Sequence, residues 1–131
     1  MVSASSPIQV MQGMDCEPSL SSAVPTAAWL TDYWFGALPN FDTMIAIVRM
    51  GGEPVFLDGA KLEDSLFQPA GMGFDVARIP LEACPSAASV CPHHLEGKFG
   101  FTMRGMDVLS SYALTAPTWP CVDAADTRCI N

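Results

Sequence analysis

Basic side chains are scarce. Six Lys and Arg stand against 14 Asp and Glu, a formal net charge of -8 over 131 residues. No Lys/Arg cluster offsets that surplus locally, so phosphate backbones and anionic headgroups are repelled and nucleic acid is not an expected partner. Long apolar runs are missing too. None approaches the roughly 18 residues a membrane helix requires, so no membrane span is expected. Residues 1–30 have neither a basic n-region nor a continuous apolar h-region. Met1 to Ala28 therefore does not read as a signal peptide; the expectation is a leader that lies outside this chain, or a chain that is a piece of something longer. Charged residues make up only 15% while half the chain is apolar, which excludes disorder as a description of the whole. Heptads and internal repeats are absent. The length fits one domain over 1–131, with 1–6 and 117–131 peripheral, that buries roughly two thirds of the surface its unfolded chain exposes.

What the sequence does contain is a series of short apolar runs, each ended by Gly, Pro or Asp. Pro7 to Met11 is the first candidate strand, followed by a Ser/Pro/Asp-rich loop from Gly13 to about Thr26. Trp29 to Leu38 carries three consecutive aromatics, Tyr33, Trp34 and Phe35. A short helix within Leu20 to Trp34 is the alternative for that region, with Pro25 arguing against a long one. Thr43 to Arg49 is apolar on both alternating faces, as a centrally placed strand should be. Pro54 to Leu57, Asp58-Gly59 and Ala60 to Leu62 read as a hairpin, because both turn positions tolerate positive φ. Pro69 to Gly73 reads as a loop and Phe74 to Leu81 as a half-exposed strand. Glu82 to Pro92 reads as an inserted loop bracketed by Cys84 and Cys91. Phe99, Phe101 and Met103 share the apolar face of a further strand, and Gly105 to Asp107 turns the chain into a last strand over Val108 to Leu114. Seven or eight strands at such spacing predict an all-β fold, a two-layer antiparallel β-sandwich, jelly-roll-like, with little helix.

Several pieces, read in order, form a recognisable series. They are Ser6 to Gln12, Trp29 to Phe35, Val55 to Gly59, Phe74 to Leu81, His94 to Gly97, Phe99 to Gly105 and Ser111 to Ala113. This order resembles the domain at the amino-terminal end of the IgG-Fc-binding protein of mucus, a family also found in surface proteins of myxobacteria and their relatives. The resemblance spans about residues 5 to 116. It implies an extracellular, non-catalytic, β-rich module engaged in surface or mucosal binding. It also implies that the chain is the carboxy-terminal part, or a shortened form, of that domain. The insertion Cys84 to Cys91 and the tail Cys121 to Cys129 depart from the family's core pattern.

Five cysteines leave one over if the others bridge. Cys84 with Cys91, and Cys121 with Cys129, enclose loops short enough for local disulfides, each supplying about 2 to 3 kcal/mol by loop closure. Pairing that ties the tail to the inserted loop or to Cys16 is the rival. In the local scheme Cys16 is the leftover, half of a bond to an absent segment or to a neighbouring copy. A zinc site from Cys84, Cys91, His93 and His94 is set aside. Structural zinc favours repeated close pairs, and adjacent histidines on an extended strand point to opposite faces. A disulfide and two loop histidines account for these residues better, so no metal and no cofactor is expected.

Catalysis is not expected either. Cys91 with His93 or His94 needs a reduced thiol of lowered pKa, and nothing completes a triad. Ser110-Ser111 has no Gly-x-Ser-x-Gly elbow. Asp58 and Asp107 are explained by turns, and Asp123 to Asp126 offers too few ligands for a calcium loop. Arg78 and Arg104 are expected to pair locally, with carboxylates such as Asp75 or Glu96. Alternation puts Trp29, Thr31, Tyr33 and Phe35 on one side and Leu30, Asp32 and Trp34 on the other, so one aromatic set fills the core. Trp34 and Trp119 are the candidates for exposed contacts with a partner. The functional expectation is an extracellular or cell-surface binding module for a protein or glycan. A structural subunit of a surface assembly, linked through strand edges or Cys16, is the alternative, and a metal- or thiol-dependent hydrolase the weaker one.

Overall fold

A computed structural model describes residues 5, 11–13, 20–22, 25–87, 90–107 and 110–115. In chain order the strands are β1 (Met11–Gly13), β2 (Leu20–Ser22), β3 (Asp32–Ala37), β4 (Asp42–Met50), β5 (Phe56–Leu57), β6 (Ala60–Lys61), β7 (Gln68–Gly71), β8 (Phe74–Pro80), β9 (Cys91–Glu96), β10 (Phe99–Met106) and β11 (Ser111–Thr115). Helix among the described residues is limited to single 3-10 turns at Thr26–Ala28 and Asp64–Leu66. The candidate strand at Pro7 to Met11 falls almost wholly outside the described residues.

One sheet has the order β11-β10-β4-β8-β7 and the other β3-β9-β5-β6, while β1 and β2 pair with each other. Every described pairing is antiparallel. Single strands and the hairpins β5-β6, β7-β8 and β10-β11 alternate between the two sheets along the chain, so the remaining neighbours, such as β3 with β9 and β4 with β10, are distant in sequence. The result is the two-layer all-β sandwich, and β4, read as central from its two-sided apolarity, lies between β10 and β8.

The core forms where the two inner faces meet. Tyr33 and Leu95 come from one sheet, Ile45, Ile47, Ala77, Phe99, Phe101 and Met103 from the other, and Val55 and Phe67 from the connections. Each large apolar side chain removed from water there contributes about 1.5–3 kcal/mol. Tyr33 is the polar exception, and both hydrogen-bonding capacities of its hydroxyl are used: it accepts from the Leu30 amide at 2.7 Å and donates to the Phe99 carbonyl at 2.9 Å. Burial pushes the phenol pKa up, with the Leu30 hydrogen bond acting the other way.

The core-facing row of β4 runs Thr43, Ile45, Ile47, Arg49, so a guanidinium ends an otherwise largely apolar row. Arg49 is only 2% exposed. One Nη donates to the Glu53 carbonyl at 2.7 Å, the other lies 2.9 Å from Asp64 and 3.7 Å from Asp75, and the guanidinium carbon sits 3.6 Å above the Phe67 ring centroid. That environment uses both Nη groups, the delocalised charge and the stackable face, while the buried Nε has no hydrogen-bond partner among the described residues. Asp75, expected beside Arg78, is thus a partner of Arg49, and Glu96 lies near His94.

Three sequence readings are corrected by the sheets. The segment from Pro69 contains an edge strand, β7, because an outer edge tolerates a proline that has no amide to donate. Its turn uses Met72 and Gly73, at φ of 54° and 80°, and methionine is not a residue that announces such a turn. The loop between Gly13 and Thr26 contains β2, whose pairing with β1 gives it order that composition does not suggest. The inserted loop stops short of Cys91, and Cys91–Glu96, for which the sequence suggests no strand, is β9. Pro92 is accommodated because β5 pairs with β9 only at Leu95 and Glu96.

Candidate functional site

Strands β3 and β9 pair in the register Asp32 with Glu96, Tyr33 with Leu95, Trp34 with His94 and Phe35 with His93. Alternation then sorts the side chains. Tyr33 and Leu95 belong to the core, with Phe35 packed against it. Asp32, Trp34, His94 and Glu96 share the opposite, outward face.

On that face the Trp34 and His94 rings are stacked, centroids 4.2 Å apart and planes 13° from parallel. Trp34 is nevertheless 72% exposed, a large apolar surface presented to solvent. His94 Nε2 lies 3.1 Å from Asp32 Oδ1, and Nδ1 lies 3.9 Å from Glu96 Oε1. The imidazole therefore has a carboxylate at each nitrogen and an indole across its face. Directly after Glu96 the chain turns at Gly97, where φ is 127° and a Cβ would lie 2.5 Å from the Pro54 carbonyl, so only glycine fits.

The inward histidine does different work. His93 stacks on Phe35, centroids 5.5 Å apart, and its Nδ1 lies 2.8 Å from Asp58 Oδ2. Asp58 also accepts from the His94 amide through Oδ1 at 2.8 Å, while its own amide donates to the His94 carbonyl at 2.8 Å. Asp58 holds this position because the turn between β5 and β6 puts Asp58 and Gly59 at φ of 51° and 81°. Partial burial alone raises the Asp58 pKa; the hydrogen bonds from His93 and the His94 amide, with the charge of both histidines, outweigh it and hold the carboxyl below its usual value. The turn thereby clamps the backbone of β9 behind the Trp34 surface.

Cys84 and Cys91 are disulfide-bonded, Cα atoms 5.7 Å apart. The local pairing expected for these two cysteines is thus present, and both sulfurs are consumed by it. The two histidines are strand residues of β9 rather than loop residues, and the opposition of their faces follows from the pleat. Cys16, Cys121, Cys129 and Trp119 lie outside the described residues. Sequence reasoning missed the grouping of Asp32, His94 and Glu96 with Trp34. The spacing Asp32-x-Trp34 and His94-x-Glu96 does place each pair on one face of a strand. That β3 and β9 are neighbours, across a separation of 62 residues, is what no local pattern contains.

Chemically, the face combines an exposed aromatic plane with two carboxylates and an imidazole. It suits stacking against an apolar ligand face while the carboxylates accept from hydroxyl or amide donors. Among the described residues no helix is long and apolar enough to cross a membrane, which leaves β-barrels unaddressed.

No curated protein and no solved structure matches the chain. One family does: its sequence model, described as IgGFc binding protein, matches residues 1–105. The order of motifs noted in the sequence agrees with that match as far as Gly105, and the chain belongs to the IgGFc-binding protein family.

Proposed function

We propose that the protein is a non-catalytic extracellular binding module that recognises a protein or glycan through the outward face of β3 and β9. Membership of a binding family supports the general class. The observation that carries the location is Trp34, 72% exposed and yet held flat against His94 on paired strands. Interface hot spots are enriched in tryptophan, because one ordered ring offers a large contact area at little entropic cost. Here the ring's orientation is already set by the stack, so binding orders little that is not ordered beforehand.

The test is a binding screen of the intact chain against a broad glycan array and against immobilised immunoglobulin Fc, the latter taken from the family's description. A hit should weaken by about 2 kcal/mol or more in Trp34→Ala, which is a factor of about 30 in Kd. The same variant should keep the native urea midpoint closely, since an exposed ring contributes little to folding beyond its stack. Silence of the native chain on both surfaces, or a hit indifferent to Trp34→Ala, sinks the assignment of this face. Disulfide-linked dimers on non-reducing gels, with no array signal, favour the assembly role instead.

A further inference from the structure

The outward face also groups three metal-ligand side chains, and their arrangement carries an inference of its own. Asp32, His94 and Glu96 each supply one donor atom, and the three atoms lie within 4.8 Å of one another. A tetrahedral zinc ion with bonds of about 2.1 Å places its ligand atoms about 3.4 Å apart. His94 Nε2 and Asp32 Oδ1, at 3.1 Å, already stand at roughly that spacing. Glu96 Oε1 stands nearer the other ring nitrogen, 3.9 Å from Nδ1, and its half-exposed side chain has room to swing to the Nε2 side.

The strand register supplies a second argument. Asp32 and Glu96 are directly opposite across β3 and β9, a like-charge pair that costs stability, in a chain whose net charge is -8. A divalent cation between them turns the repulsion into attraction. The donor chemistry narrows the ion: one imidazole nitrogen with two carboxylate oxygens suits zinc and its first-row neighbours better than calcium or magnesium, which favour oxygen alone. The ligands are also prepared. The His94 backbone is clamped by Asp58 and its ring by Trp34, so binding an ion orders only two short acidic side chains.

We propose that Asp32, His94 and Glu96 form a surface site for a divalent transition-metal ion of the zinc class, with its fourth position open beside Trp34. The open position offers an oxygen of a bound partner a direct bond to the ion while the indole takes the apolar contact. This last point rests on the recognition reading above; the metal site itself does not.

The experiment uses the intact chain, stripped with a chelator and given no protein or glycan ligand. Zinc titration by calorimetry should show one-to-one binding, weakened more than about tenfold in Asp32→Asn and in His94→Gln. Copper(II) should quench part of the tryptophan emission, because the Trp34 ring lies 4.2 Å from the ring that binds the ion. That part should vanish in Trp34→Phe, which retains zinc. His93→Gln, whose ring lies on the inward side, should bind zinc as the native chain does, with circular dichroism showing that each variant is folded. No zinc heat at millimolar metal overturns the site. So does binding that survives Asp32→Asn and His94→Gln, or quenching indifferent to Trp34→Phe, since the ion then sits elsewhere. Zinc binding in a chain silent on the arrays leaves the site standing and removes the recognition reading. A chelator-insensitive array hit without zinc binding does the reverse.

Discussion

Arg49→Lys keeps the charge and should still cost the protein about 2 to 3 kcal/mol, more than Arg49→Met, which deletes it. The native guanidinium satisfies three surroundings at once: the Glu53 carbonyl, the carboxylates of Asp64 and Asp75, and the face of Phe67. A lysine ammonium reaches one side of that arrangement. Turned toward the carboxylates, it forfeits the charge-assisted bond to the carbonyl, about 1.5–3 kcal/mol, and the planar stack on Phe67, about 0.5–2 kcal/mol. It remains a buried and strongly hydrated cation, so its desolvation cost is not relieved. Methionine keeps an unbranched stem against Phe67 and removes the desolvation cost altogether. The groups it leaves behind keep access to water, since Glu53 and Asp64 are exposed residues and Asp75 is 22% exposed, and solvent takes the place of the guanidinium. The Met variant should therefore lie within about 1 kcal/mol of native stability. Urea unfolding of the three proteins, with slopes checked for equality, measures the order. If Arg49→Met proves the costlier by more than about 1 kcal/mol, net charge pairing rather than geometry is what holds this residue, and the reasoning fails.

Two further outcomes follow from named contacts. Replacing both Cys84 and Cys91 by alanine opens a loop of sequence separation 7 and should lower stability by about 2.5 kcal/mol in the loop-entropy treatment; a urea-measured loss under about 0.5 kcal/mol refutes that account of the bond. Because the folded-state pKa of Asp58 lies below the unfolded one, the unfolded chain takes up the proton first on acidification. The stability linked to it is thus fully present above about pH 4 and is lost as the pH falls through the folded value. Asp58→Asn should flatten the acid limb of the urea midpoint against pH, and an unchanged limb would refute the clamp.

Much of the architecture was legible because it rests on local patterns. Two-sided apolarity marked β4 as central, the alternation Phe99, Phe101, Met103 marked the inner face of β10, and Asp58-Gly59 marked a hairpin. The strands that escaped notice, β2, β7 and β9, are those whose order comes from a partner rather than from their own composition. Proline at an edge and methionine at positive φ both contradict local expectation, and pairing overrides it. Arg49 escaped in the same way: on a strand its position only says which face it joins, and the charge on that face is compensated by Asp64 and Asp75 from elsewhere.

The candidate site divides along the same line. That Trp34 and Asp32 share one side of their strand, and His94 and Glu96 one side of theirs, follows from the two-residue period of an extended chain. Composition and motif order likewise determined an acidic, β-rich member of a binding family without help from any contact. Which of the two sides faces water, and that the two strands lie against each other in a register that stacks Trp34 on His94 between opposed carboxylates, was decided only in the folded sandwich. The reason is physical: side-chain alternation is a property of one strand, whereas register and neighbour are set by how two sheets bury Tyr33, Leu95 and Phe101 in a common core.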